Sequence, residues 1–180
     1  MAASIETLIT DDMRACIGKK SPVWSLPEEI SASDVRRYVE ATGDNNPLWL
    51  DDDFARGVGY RGRRVPPLFV QQMRWRIDSR EPGESDSWSG LKFPPGYTST
   101  RNAGQEVEWL APVYIGDSLT FQTELTEIFV KEGRSGPIIF TKHLTEVRNQ
   151  DGLLVMRTTS TSAKLHAARV DENSAESSND

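Results

Sequence analysis

The chain has 180 residues, of which 37% are hydrophobic and 27% charged, and a net charge of −6. That length suits one domain with a substantial core, and the acidic balance gives no electrostatic reason to expect nucleic acid or an anionic membrane as partner. The single cysteine, Cys16, cannot form an internal disulfide, and no Cys/His cluster has metal-site spacing, so no metal is expected and a reducing, cytoplasmic setting fits. No basic segment precedes an apolar run at the N-terminus, and no stretch approaches the ~20 apolar residues that span a bilayer.

In chain order, residues 1–16 read as an N-terminal extension, 17–168 as the folded domain and 169–180, RVDENSAESSND, as a disordered acidic tail. A first strand is predicted near 20–26. From 31 to 42, Val35, Tyr38, Val39 and Thr42 recur at helical spacing, Ser31 with Asp34 makes a capping-box signal, and Gly43 is a C-terminal stop. The loop GDNNPLWLDD (43–52) follows, then a short helical turn over 51–56 and the glycine- and arginine-rich VGYRGRRVPP. A second helix, over 67–77, sets Phe69, Val70, Met73 and Ile77 on one face, with proline at its first turn where a missing N–H matters least. Residues 79–100 are rich in Pro, Gly and Ser without periodicity. Loops of that length usually cover or line a site.

The second half changes to period two. Val107 and Trp109 alternate with acids, Leu119, Phe121, Thr123 and Leu125 with polar residues, Ile138, Phe140 and Leu144 less cleanly, and a last run covers 153–165. Turns are predicted at 111–117, 131–137 and 149–152. The fold class is α+β: a single antiparallel sheet of about five strands wrapped around the central helix that carries Phe69.

The helix, the GDNNPLW loop, the GYRGRRVPP turn into a buried helix, and GQEVEWLAPVYIGDSLT (104–120) before a strand meander occur in an order that resembles the MaoC-like hydratase/dehydratase group of hot-dog proteins, especially its FAS1-like dehydratase N-terminal branch. The resemblance covers residues 16–165. It implies chemistry on an enoyl or 3-hydroxyacyl thioester of coenzyme A or a carrier protein, adding or removing water, with the thioester as substrate and no resident cofactor. In active members the loop reads D-x-N-P-x-H. The acid and histidine hold the water and move its proton, while backbone N–H groups at the head of the central helix stabilise the enolate.

Asp44, Asn46 and Pro47 match that loop and carry the catalytic positions by motif, but Trp49 stands where the histidine would be, and an indole cannot act as a base. The histidines do not replace it: His143 falls in a predicted strand and His166 at the border of the tail. Pro66 and Pro67 occupy the head of the central helix, where proline offers no N–H to an oxyanion. The resemblance thus implies a catalytically incomplete half that pairs with a second MaoC-like subunit. Trp49, Tyr60, Arg63, Arg64, Pro67, Trp88 and Tyr97 are its candidate substrate-binding residues, and the stretch from Trp88 to Tyr97 shapes the acyl tunnel. Plainer readings stand beside these: a helix stop at residues 44–47, packing for Trp49, Met73 and Trp75, and, for Arg61, Arg63 and Arg64, a solvated face in place of a site for the phosphates of coenzyme A. A self-sufficient homodimeric hydratase or hot-dog thioesterase, and a non-catalytic acyl-thioester binding module, are the alternative functions.

Overall fold

The computed structural model describes residues 8–73, 87–134 and 136–167. Thr10 Oγ1 accepts from the amide of Met13 (3.2 Å) and starts a one-turn helix, α1 (Asp11–Arg14), which buries Met13 and, just beyond it, Cys16. Strand β1 (Trp24–Ser25) is shorter than the predicted 20–26. Pro22 has no N–H for the ladder, so Lys20 makes only an isolated bridge, to Glu124. Helix α2 (Ala32–Thr42) has both halves of its capping box: the Asp34 amide donates to Ser31 Oγ at 3.1 Å, and the Ser31 amide to Asp34 Oδ2 at 3.3 Å. Val35 and Val39 face the core, and the Gly43 amide closes on the Val39 carbonyl. Three short helices follow, α3 (Pro47–Leu50), α4 (Asp52–Gly57) and α5 (Pro67–Met73). Among the described residues no helix is long and apolar enough to cross a membrane.

After a 3₁₀ turn at Ser87–Ser89 come the long strands β2 (Ser99–Trp109), β3 (Leu119–Gly133), β4 (Gly136–Asn149) and β5 (Leu154–Leu165). They form one antiparallel sheet in the order β1-β3-β4-β5-β2. Phe69, Val70 and Met73 of α5 pack into the same cluster as Leu119 and Phe121 of β3, Val147 of β4, and Val155 and Met156 of β5. Each such side chain contributes about 1.5–3 kcal/mol on full burial. This is the hot-dog arrangement, a sheet curled around a central helix. A bulge between Leu125 and Glu127 lets Ile128 stay buried on the face of Phe121 and Leu125, although its number breaks the odd alternation. Leu125, Ile128 and Ile139 form a second cluster further along the sheet, with Met13, Cys16 and Tyr97.

Two strand expectations change. The turn predicted over 131–137 is narrower, because β3 runs to Gly133 and β4 restarts at Gly136, paired with it. The alternation at Val107 and Trp109 sets only a partly covered face: β2 is an edge strand on β5, Val107 is half-buried against the core cluster, and Trp109 is 44% exposed. Strand β2 also begins earlier than predicted, and Gly104, at φ 129°, sits in a bulge beside Asn102 where an L side chain would be strained. The end of the predicted helix at Ile77, Trp75, the first part of loop 79–100 and the tail 169–180 lie outside the described residues.

Candidate active site

The loop between α2 and α3 both ends one helix and starts the next. Asn46 Oδ1 accepts from the Leu48 amide at 3.0 Å, capping α3, and Pro47 follows at its first position. That single turn swings Trp49 back over the loop, where its indole Nε1 donates to Asp44 Oδ2 at 2.9 Å. Asp44 itself is exposed, whereas Trp49 is 6% exposed and packs in the cluster with Val65, Val70, Val113 and Val155. The structure thus shows the plain reading of the loop: Asn46 is a helix cap, Trp49 is a core residue, and the N–H edge of its indole is bonded to the motif acid.

Asp51 Oδ1 then caps α4, accepting from Asp53 and Phe54, and Asp52 Oδ1 accepts from the Arg63 amide at 3.0 Å. The Arg64 amide donates to the Leu48 carbonyl (2.9 Å), and the Val65 amide to Val113 (2.8 Å), which leads the chain into α5. The Arg64 guanidinium lies 4.6 Å from the Tyr60 ring centroid and 5.8 Å from that of Trp49, and its Nη1 donates to the Tyr60 hydroxyl at 3.0 Å. Tyr60, Arg64 and Trp49 are thus one stack. At the head of α5, the amides of Phe69 and Val70 both turn to the Pro66 carbonyl (3.0 and 3.3 Å). Pro67, Arg64, Val70, Trp109 and Met156 line a crevice of about 20 Å³, room for roughly one water.

One neighbour of the acid was not among the sequence candidates. Tyr38, one turn before the end of α2, tilts against Phe69 of α5 at 4.9 Å between ring centroids. Burial, and behind it the negative charge of Asp44, raise its phenol above the ordinary value, so the hydroxyl stays protonated beside the carboxylate. Its place on the Val35 face of α2 was legible as core spacing, while its approach to Asp44 depends on how α2 and the loop fold back together.

The other candidates lie apart from this group. Trp88 and Tyr97 pack in the second cluster, with Trp88 edge-on to His143 (6.3 Å) and the Tyr97 hydroxyl donating to the Pro137 carbonyl at 3.3 Å. Tyr97 is also edge-on to His166 (5.6 Å). Arg63 turns away from Arg64, its Nε 3.3 Å from Asp52 Oδ2. Asp117, in the GD pair of the second motif, is 1% exposed. Its carboxylate accepts from the Tyr114 amide (2.9 Å), Gln150 Nε2 (3.1 Å) and Arg61. The motif glycine before it, Gly116, has φ 90° and so permits the tight return that brings Asp117 inward.

The family model described as "FAS1-like, dehydratase domain region" matches residues 15–158, a span that takes in both the Asp44 loop and the Gly116-Asp117 pair. The chain belongs to this family. Relatives named as a hydratase and a dehydratase, together with the fold, make it a MaoC-like hot-dog protein of a hydro-lyase family. A UPF0336 protein of Streptomyces avermitilis is 30% identical over 114 residues, 62% of this chain and 70% of the relative. The protein named "probable enoyl-CoA hydratase alpha subunit" of Thermomonospora curvata is 27% identical over 135 residues, 71% of this chain but only 42% of the relative. Among solved structures, the ChsH1-ChsH2 complex from Mycobacterium tuberculosis contains a chain with a TM-score of 0.73 at 20% identity, covering 90% of this chain and 91% of that one, a likeness of fold.

Proposed function

We propose that this chain is the catalytically incomplete subunit of an enoyl-thioester hydratase or 3-hydroxyacyl-thioester dehydratase, shaping the acyl site beside a hot-dog partner that carries the complete acid/base loop. The observation that carries this reading is the Trp49 indole on Asp44. Hydration needs a base to take a proton from water while negative charge on the thioester oxygen is stabilised from the opposite side. An indole N–H can only donate, and here it is spent on a carboxylate lone pair that would otherwise hold the water. Pro66 and Pro67 remove two amide donors from the head of α5.

Two features support a partner. The crevice at the head of α5 is too small for an acyl chain within this subunit. Strand β2 pairs, among the described residues, with β5 alone and presents Trp109 (44% exposed) and Leu110 (48%) at its end, an edge of the sort that folded proteins keep covered. A second hot-dog domain laid along β2 would continue the sheet and wall the crevice. The Thermomonospora relative carries the name of an alpha subunit, and the Mycobacterium structure is of a two-protein complex, and both fit this reading.

The test is the absorbance of the conjugated thioester of an enoyl-CoA, followed with the purified chain alone and then with co-expressed hot-dog partners. Loss of the band only with a partner is expected. Loss with the chain alone would make it a self-sufficient hydratase and end the proposal.

A further inference from the structure

Arg56, Arg61, Arg63 and Arg64 crowd one short stretch of a chain whose net charge is −6. The fold separates them into two groups. Arg64 turns to Tyr60 and Trp49, while Arg56, Arg61 and Arg63 line a cleft of about 300 Å³ with Asp52 and Tyr114. Two of the three guanidinium groups are fixed from behind. Arg61 bonds the buried Asp117 carboxylate and lies 4.3 Å over the Tyr114 ring, yet its side chain remains 54% exposed. Arg63 is held by Asp52. Arg56, in the last turn of α4, has no carboxylate partner among the described residues. Three cations therefore face two carboxylates, one of which, Asp117, sits behind the wall. The cleft keeps a net positive charge and free guanidinium N–H groups already held in place, which suits a planar fork-to-oxygen fit with phosphate.

The cleft and the acid loop share one piece of chain. Asp52 follows the Trp49 turn directly, and Arg63 is next to Arg64 of the Trp49 stack. We infer that this cleft binds a phosphate or diphosphate group of the thioester carrier, leaving the arm to run from it toward the Asp44 loop. The assignment to a carrier rests on the hydratase reading; the preference for phosphate rests on the cleft itself. The phosphate can come from the nucleotide end of coenzyme A or from the phosphodiester of a carrier protein's phosphopantetheine.

The full chain, labelled with ¹⁵N, is titrated with adenosine 3′,5′-diphosphate, with 4′-phosphopantetheine and with inorganic phosphate, following the amides of Gly62, Arg63 and Ile115 and the arginine Nε–H signals. Saturable shifts confined to these residues with one of the two organic probes are expected, the nucleotide indicating coenzyme A and the pantetheine a carrier protein. Arg56→Glu should weaken that binding at least tenfold, Arg56→Gln should weaken it less, and Arg36→Glu on α2 should leave it unchanged. Shifts scattered over the surface, organic probes binding no better than inorganic phosphate, or binding indifferent to both Arg56 variants would each overturn the inference. Probe binding here without enoyl-CoA turnover in any company would retain the phosphate site and remove the hydratase reading. Turnover with a partner but no probe binding would do the reverse.

Discussion

The indole of Trp49 reaches back across the start of α3 to donate a hydrogen bond to Asp44 at 2.9 Å, so the residue that stands at the motif's histidine position is tied to the motif acid. Trp49→Phe keeps an aromatic ring in the core, removes the donor and gives up the volume of the second ring. Because Asp44 is exposed and can take water in exchange, the hydrogen-bond part of the loss should be about 1 kcal/mol, with about 1 kcal/mol more from packing. Trp49→Ala also opens a hole among Val65, Val70 and Val113 and should cost about 3–5 kcal/mol. Denaturant unfolding of the two variants separates hydrogen bond from packing, and equal losses would mean that the Asp44 contact is the larger part.

Tyr38 supplies a pH signature of the same site. Its phenol is raised in the folded chain, by burial first and by Asp44 second, so the native state keeps that proton to higher pH than the unfolded chain does. The resulting stability is fully present below the ordinary tyrosine value of 10.0 and is lost as pH rises through the folded value. Tyr38→Phe should remove this component of the alkaline decline. Ultraviolet titration of the phenolates should show one late tyrosine that moves down in Asp44→Asn. An unmoved titration would mean that Asp44 exerts no field at Tyr38.

Asp117 ties the second motif to the arginine turn. Asp117→Ala leaves the Tyr114 amide and Gln150 without their acceptor and releases Arg61, so a loss of about 2–4 kcal/mol is expected. Asp117→Asn keeps one acceptor oxygen and should lose less. The midpoint of urea unfolding should fall with the slope unchanged.

The elements whose signals are local were legible in the sequence. Ser31 and Asp34 cap α2 through bonds three residues apart, Asn46 and Pro47 open α3, and the β3 to β5 alternation marks strands that lie on α5. The D-x-N-P and G-D motifs led to the correct family. What was hidden depends on how distant segments meet. Trp49 read as packing ahead of a ligand contact, and its bond to Asp44 was not legible because it needs the particular turn that Asn46 caps. Tyr38 read as core spacing alone. Trp88 and Tyr97 follow a path set by packing on Leu125 and Ile139, which periodicity does not report. Trp109 alternates like a core residue although β2 is an edge, consistent with a face that a partner would cover.

That edge gives a prediction about assembly. Trp109→Glu changes a side chain that this chain leaves 44% exposed and otherwise rests against the α5 crevice, so the subunit should still fold, with about 1–3 kcal/mol less stability. Co-purification with the hot-dog partner, read by light scattering after gel filtration, should be lost. A variant that still assembles would move the interface away from the end of β2.

The measurement that bears most directly on the incomplete-subunit account is enoyl-CoA turnover by the assembled heteromer carrying Asp44→Asn in this chain. If the working acid/base pair belongs to the partner, kcat should stay within about threefold of the unaltered heteromer, a difference of under ~0.7 kcal/mol in barrier. A fall of a hundredfold or more with the heteromer intact would mean that Asp44 performs the chemistry despite Trp49, and that this chain carries the active site.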